Sequence, residues 1–141
     1  MKQKIILCIL LNFMLIMLAG CIRINDPDVV LKDNSQPCIS IPSTEDMLKE
    51  NKQFNITGTG IYETSTDTYL SKKDYPKEQY NVKTQECIDF DYDFQDGIIY
   101  DIIFTSAEKG GSEKIWGATI RIIKNEDGNA QLLTGNRVLI N

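Results

Sequence analysis

Beyond residue 28, apolar residues fall into short runs: 29–31, 38–41, 54–62, 82–90, 98–104, 115–123 and 132–140. Ile, Val, Tyr and Phe dominate them. Gln95-Asp96-Gly97, Lys109-Gly110-Gly111-Ser112 and Asn125-Glu126-Asp127-Gly128-Asn129 punctuate the later ones. Runs rich in β-branched and aromatic residues, separated by turn residues at short spacing, predict an all-β domain. In 98–104 every second residue (Ile98, Tyr100, Ile102, Phe104) is large and apolar, and Trp116, Ala118, Ile120 and Ile122 repeat the pattern. Alternation of period two puts one face of a strand on a core. These two runs are expected to form a hairpin through Gly110-Gly111. The single helix expected is short, over 45–52, with Ser43 or Thr44 as its cap. The expectation is a single small antiparallel β-sandwich of seven or eight strands spanning 29–141, with immunoglobulin-like topology left open. Gly58-Thr59-Gly60 is too short for a phosphate loop and is expected to mark a bulge or bend.

The front of the chain differs. Lys2 and Lys4 precede an almost unbroken apolar stretch over 5–18 that ends in small residues. A basic start, an apolar centre and a small-residue end make a secretory signal, and the stretch is short for a membrane span of about 20 residues. Leu18-Ala19-Gly20-Cys21 resembles a bacterial lipobox. The resemblance implies removal of residues 1–20 and acylation of Cys21, a firm anchor at about 0.8 kcal/mol per buried methylene. Residues 21–28 then become a lipidated N-terminus and short tether. Ile22 follows the cysteine, where aspartate commonly signals inner-membrane retention in Gram-negative lipoproteins. Its absence implies a periplasm-facing protein of the cell envelope, leaning to the outer membrane.

Export changes the meaning of the remaining cysteines. The chain has four; Cys8 leaves with the signal and Cys21 carries lipid. Cys38 and Cys87 are left as an even pair in an oxidising compartment, and a disulfide between them is expected. Removing Lys2 and Lys4 leaves 13 basic against 20 acidic residues, a net charge of −7. That balance disfavours nucleic acid and anionic lipid surfaces and favours basic partners.

Candidate chemistry is sparse. There is no histidine, which removes the usual general base and the commonest metal ligand. No nucleophile elbow, phosphate loop or dinucleotide fingerprint occurs, so no enzyme activity, cofactor or metal is assigned. The acidic stretch "CIDFDYDFQDG" (87–97) fails as a calcium loop: Phe94 and Tyr100 stand where an EF-hand needs glycine and glutamate. Alternation there turns Phe90, Tyr92 and Phe94 inward and Asp89, Asp91 and Asp93 outward. For these carboxylates and Asp96, a solvated edge, a partner-binding patch and a divalent-ion site all stay open. Paired carboxylates for glycoside hydrolysis lack any pattern placing them in a cleft. In "YETSTDTYLSKKDYPKEQY" (62–80), tyrosines including Tyr69 and Tyr75 lie among polar residues. They are either lids folded over the core or anchors of a recognition surface.

Taken together, Leu18-Ala19-Gly20-Cys21, "VVLKDNSQPCISIP" at 29–42, "ECI" at 86–88, Gly97 and Tyr100 resemble the small periplasmic lipoproteins regarded as immunity proteins against type VI secretion effectors. The resemblance covers the layout of the chain and few individual positions, and 43–80 takes no part in it. It implies a membrane-anchored protein that binds a toxin delivered into the periplasm. The alternative is an envelope-assembly or ligand-binding lipoprotein without a toxin partner. The lipobox makes a direct prediction: palmitate labelling in cells marks the wild type and is lost in Cys21→Ala. Equal labelling of the two would remove the anchor.

Overall fold

The structure, a computed structural model of the chain, describes residues 22–47 and 52–139. The expected signal segment and Cys21 lie outside the described residues. The strands are β1 (Ile24–Asn25), β2 (Asp28–Leu31), β3 (Pro37–Ser40), β4 (Phe54–Glu63), β5 (Thr68–Asp74), β6 (Asn81–Val82), β7 (Ile99–Glu108), β8 (Glu113–Lys124) and β9 (Ala130–Thr134). Seven of them make one sheet in the order β1-β8-β7-β4-β5, with β6 beside β4 and β9 beside β8. β2 and β3 form a separate antiparallel pair. The fold is all-β and sandwich-like, with layers of seven and two strands. β1 runs parallel to β8, so the main sheet is mixed.

The hairpin expected around Gly110-Gly111 is present, with β7 and β8 in register from Ile99↔Arg121 to Ala107↔Glu113. Its core face carries Tyr100, Ile102, Phe104, Trp116, Ile120 and Ile122, each at most 2 % exposed. Phe104 and Trp116 face each other across the strands and stack, with ring centroids 5.8 Å apart. The indole N–H would be orphaned at that depth. It donates to Ser106 Oγ at 2.8 Å, which also explains a buried serine in an apolar face.

In β4 the apolar positions change phase, Phe54 and Ile56 being even and Ile61 odd. A bulge reconciles them: register passes from Ile56↔Ser106 directly to Gly58↔Thr105, leaving Thr57 unpaired with β7. One extra residue rotates the following side chains by one step, so Ile56 and Ile61 reach the same core. The bulge thus sits one residue before Gly58-Thr59-Gly60.

Four expectations are corrected. The run 82–90 is a strand only at Asn81–Val82, and 83–98 continues without strand structure. Phe90 and Phe94 are buried, Tyr92 is half-buried and Asp89, Asp91 and Asp93 are exposed. The alternation is real, but the segment has no ladder partner. The run 132–140 ends as a strand at Thr134, where Gly135 (φ 58°) turns the chain into a 3₁₀ turn, Gly135–Leu139. After Pro42 there is a 3₁₀ turn, Ser43–Asp46, with no side-chain cap. Residues 48–51 of the helix expected at 45–52 lie outside the described residues. Finally, 62–80, which shows no strand run in the sequence, contains one: β5 occupies Thr68–Asp74 and pairs with β4. Propensity missed it because its residues, "TYLSKKD", are largely exposed at a sheet edge.

The second layer rests on the first through 83–98. Gln85 N–H donates to Ile41 O and Ile88 N–H to Ile39 O, both at 2.8 Å, so this segment runs beside β3. Cys38 and Cys87 form the expected disulfide between them, 49 residues apart in sequence. Ile88, Phe90 and Phe94 pack with Ile39 and Ile41 against the main sheet. In the chain-entropy account, closing a loop of that length stabilises by about 4 kcal/mol. The double variant Cys38→Ser/Cys87→Ser is therefore expected to lose about that much in denaturant unfolding. Loss below about 1 kcal/mol would show that packing alone holds the layer.

Candidate functional site

The acidic segment is the place to begin, because its backbone lies outside the sheet and must find other partners. Side chains supply them. Gln36 clamps Phe94, accepting its N–H at Oε1 (2.9 Å) and donating from Nε2 to its carbonyl (3.2 Å). The Tyr80 hydroxyl accepts Asp89 N–H at 2.7 Å and the Tyr100 hydroxyl accepts Gln95 N–H at 2.9 Å. Gly97 N–H donates to Ile122 O at 2.7 Å. Asp96 is spent on structure, its Oδ1 accepting Lys124 N–H at 2.7 Å.

Asp89 turns inward on its own segment, accepting Asp91 N–H at 2.8 Å. Asp91 stands 3.9 Å from Lys73, both exposed, a pair of little energetic weight. Asp89, Asp91 and Asp93 remain solvent-facing. Among the described residues no group of three or more cysteine, aspartate or glutamate side chains could hold a metal ion. The four aspartates thus edge the second layer, all of them exposed, and Asp96 also holds β8.

The two singled-out tyrosines part company. Tyr75 is half-buried against the core, with its ring 5.0 Å from that of Tyr80, and its N–H donates to Thr57 O at 2.9 Å. It serves as a lid. Tyr69 is 61 % exposed on the opposite, outer face of the main sheet, edge-on to Tyr62 at 5.2 Å.

That outer face has a feature the sequence did not announce. Cross-strand register places Tyr69, Tyr62, Asp101 and Thr119 in one row and Lys72, Gly60, Ile103 and Gly117 in the next. The second row carries two glycines, so it forms a trough floored by Ile103, 40 % exposed, with Ile24 lying over Gly117. A Cβ on Gly60 would come within 3.1 Å of Ile103 Cγ2, and one on Gly117 within 2.9 Å of Ile24 Cγ2. A Cβ at Gly117 would force Ile24 to move, and one at Gly60 would push Ile103 aside by a few tenths of an ångström. β8 pairs with β1 at 115–116 and with β9 at 120–124, leaving Gly117–Thr119 without a strand partner on that edge. Residues 26–29 and 117–119 line the same hollow.

The result is a hollow of about 950 Å³, walled by Ile24, Pro27, Val29, Tyr62 and Tyr69 and open to water. That size falls within the range of small-ligand sites, about 300–1,000 Å³. Three carboxylates line it (Asp26, Asp28 and Asp101) and, among the described residues, no lysine or arginine does. Asp101 is half-buried and held in place: Oδ1 accepts Thr119 Oγ1–H at 2.5 Å and Oδ2 accepts Thr64 Oγ1–H at 3.3 Å. Of these residues only Tyr69 had been singled out from sequence. The Ile103–Gly117 pairing follows from any hairpin centred on Gly110, so half the trough was within reach of the pattern. Gly60 was not, because the bulge at Thr57 and the long separation conceal its register.

Fold and site together define a disulfide-fastened all-β domain with an open, acidic, tyrosine-edged hollow. Residues 24–125, more than half the chain, match the family described as Domain of unknown function (DUF7480), and the chain belongs to that family. The matched span holds both cysteines of the disulfide and the trough, and ends before β9. No curated protein and no solved structure matches the chain.

The tyrosines that hold the acidic segment give it an alkaline limit. Burial pushes the Tyr100 hydroxyl well above its ordinary 10.0, with the Tyr92 hydroxyl adding to the rise and the Gln95 N–H opposing it. Burial raises Tyr80 as well, against the Asp89 N–H. A hydroxyl kept neutral in the fold contributes stability that is whole below the unfolded pKa, near pH 10. That contribution is lost as pH rises through the folded value, by up to about 1.4 kcal/mol per pH unit for one proton. Tyr100→Phe is expected to cost about 1 kcal/mol near neutral pH, since Gln95 N–H loses its acceptor. Its urea-unfolding stability should then fall less steeply than wild type above pH ~10. Parallel pH curves for the two proteins would show that Tyr100 is not linked to stability.

Proposed function

We propose that this protein is a lipid-anchored binding protein of the bacterial cell envelope, and that it neutralises a toxin effector by occupying it. The observation that carries the binding role is the open hollow. A central sheet face flanked by glycines, with Ile24, Ile103, Tyr62 and Tyr69 in contact with water, presents apolar and aromatic surface of the kind that recognition sites use. Its position supports the envelope role. Ile24 at the rim stands three residues from Cys21, at most about 10 Å of extended chain. A partner seated there would be met close to the membrane. Part of the expected tether, Ile24–Asn25, is itself paired with β8, so the anchor joins the domain with little slack.

Two modes of capture are separable by rate. Asp89, Asp91 and Asp93 are exposed and set to steer a basic partner, an effect on association that salt screens. Tyr69 is an anchor whose loss speeds dissociation. Tyr75, half-buried on Tyr80, acts through stability in this scheme, and Asp96 through its bond to Lys124. A hollow of this size also favours the second reading, a ligand-binding or assembly lipoprotein that works without a toxin. Protection distinguishes them. The effector encoded beside this gene, directed to the periplasm, should kill cells lacking this protein and spare cells making it. Rescue should fall when Tyr69→Ala accelerates dissociation, at a cost on the order of 2 kcal/mol. Equal killing with and without the protein, and no complex in solution, would remove the toxin reading.

A further inference from the structure

The hollow combines a fixed carboxylate with surface that suits the stem of a long cationic side chain. Asp101 has two hydroxyl donors, Thr119 and Thr64, and an ionised carboxyl offers about four lone-pair positions. Room is left for a further donor. Among the described residues, none of the ion pairs involves Asp101, Asp26 or Asp28. Next to Asp101 in the same row stands Tyr62, with Tyr69 edge-on behind it. An aromatic face beside a carboxylate attracts a cation twice over, through charge and through the ring quadrupole. Lys72, 6.0 Å from the Tyr69 ring, already uses that attraction from the outer rim. The neighbouring row offers what the methylenes need: Ile103, with glycine on either side, and Ile24 lying over Gly117 to extend the apolar surface. Lysine and arginine bury their stems on apolar surface while keeping the charge at a polar group.

We infer that the hollow receives a lysine or arginine of a protein partner, its stem against Ile103 and Ile24 and its charge on Asp101 beside Tyr62. The inference rests on the proposal that this protein binds a protein partner, and it identifies the occupant by charge. The site is distinct from the Asp89–Asp96 edge on the opposite layer. Steering by that edge and seating in the hollow are separate events on one surface charge of a single sign.

The test uses full-length protein in detergent and three probes: a labelled hexapeptide alternating leucine and lysine, the same peptide with glutamate for lysine, and spermidine. The lysine peptide is expected to bind about tenfold or more tighter than either alternative, and more weakly as salt rises. Asp101→Asn should weaken it about tenfold, and Tyr62→Ala measurably. Neutralising Asp89, Asp91 and Asp93 together should leave the equilibrium affinity within about twofold. If Asp101→Asn disturbs folding, Ile103→Lys provides the check. It adds a cation on an already exposed position and should fill the hollow and abolish peptide binding while the unfolding midpoint holds. Equal binding of the glutamate peptide or spermidine, or full affinity in either folded variant, would overturn the inference. In the toxin assay, rescue that survives Asp101→Asn and Ile103→Lys overturns this site and leaves the proposed function standing. Peptide binding without any rescue does the reverse.

Discussion

A seven-stranded sheet with one strongly apolar face needs a cover, and two short strands cannot supply it. β2 and β3 contribute Ile39 to the core, and Ile41 follows directly after β3. The rest of the cover is the irregular stretch 83–98, carrying Ile88, Phe90 and Phe94. That stretch has no ladder of its own, so it is fixed by the Cys38–Cys87 bond, two backbone bonds to Ile39 and Ile41, and the side chains of Gln36, Tyr80 and Tyr100. Remove the fastening and the aromatic residues of β7 and β8 face water. The domain is small, and a covalent tie offsets the limited surface it can bury.

The same constraint explains the peculiar composition of 87–97. Its alternating aspartates and aromatics mimic an edge strand, yet the period-two pattern here serves an extended segment bonded sideways by side chains. Phe90 meets Phe104 at 6.4 Å, and Phe94 and Tyr92 meet Tyr100 at 5.1 and 5.8 Å, all edge-on. Such geometry favours aromatic pairs beyond their buried area. The aspartates between them keep the outer side wet. They also discourage a second chain from pairing along a segment whose backbone is only partly satisfied.

Periodicity revealed the parts of the fold that local sequence dictates. The β7–β8 hairpin was legible because alternation on both arms and glycines at the turn agree. The disulfide was legible by counting cysteines in a chain whose front end reads as an export signal. What escaped depends on contacts far apart in sequence. β5 was hidden because an edge strand of Tyr, Ser, Thr and Lys has no buried face to betray it. The strand expected at 82–90 failed because alternation reports burial, and burial does not require a ladder. β1 was hidden for the simplest reason: two residues, Ile24 and Asn25, carry no period at all. Their place is decided by Gly117, over which Ile24 lies, and by Asn25 Nδ2 donating to Ile115 O at 3.0 Å. Beyond the Ile103–Gly117 pairing, the hollow escaped for a related cause. It is a property of register across β5, β4, β7 and β8, and a bulge stands inside that register.

The two faces of the main sheet therefore obey different rules. On the inner face every large side chain is matched, to the point that Ser106 is spent on the Trp116 N–H. On the outer face two glycines sit in central strands, where each costs about 0.5–1 kcal/mol relative to alanine. Ile103 and Ile24 keep much of their surface in water. Close approach accounts for the glycines themselves, since neither position has room for a Cβ without displacing an isoleucine. It does not account for leaving those isoleucines uncovered. A smaller polar residue at 103 would remove the exposed surface and the need for Gly60 together. The proposed binding role would supply the reason, because a face thinned by glycine, apolar at its floor and anchored by a hydrogen-bonded Asp101 is one that a partner could cover. The inner face is complete without it.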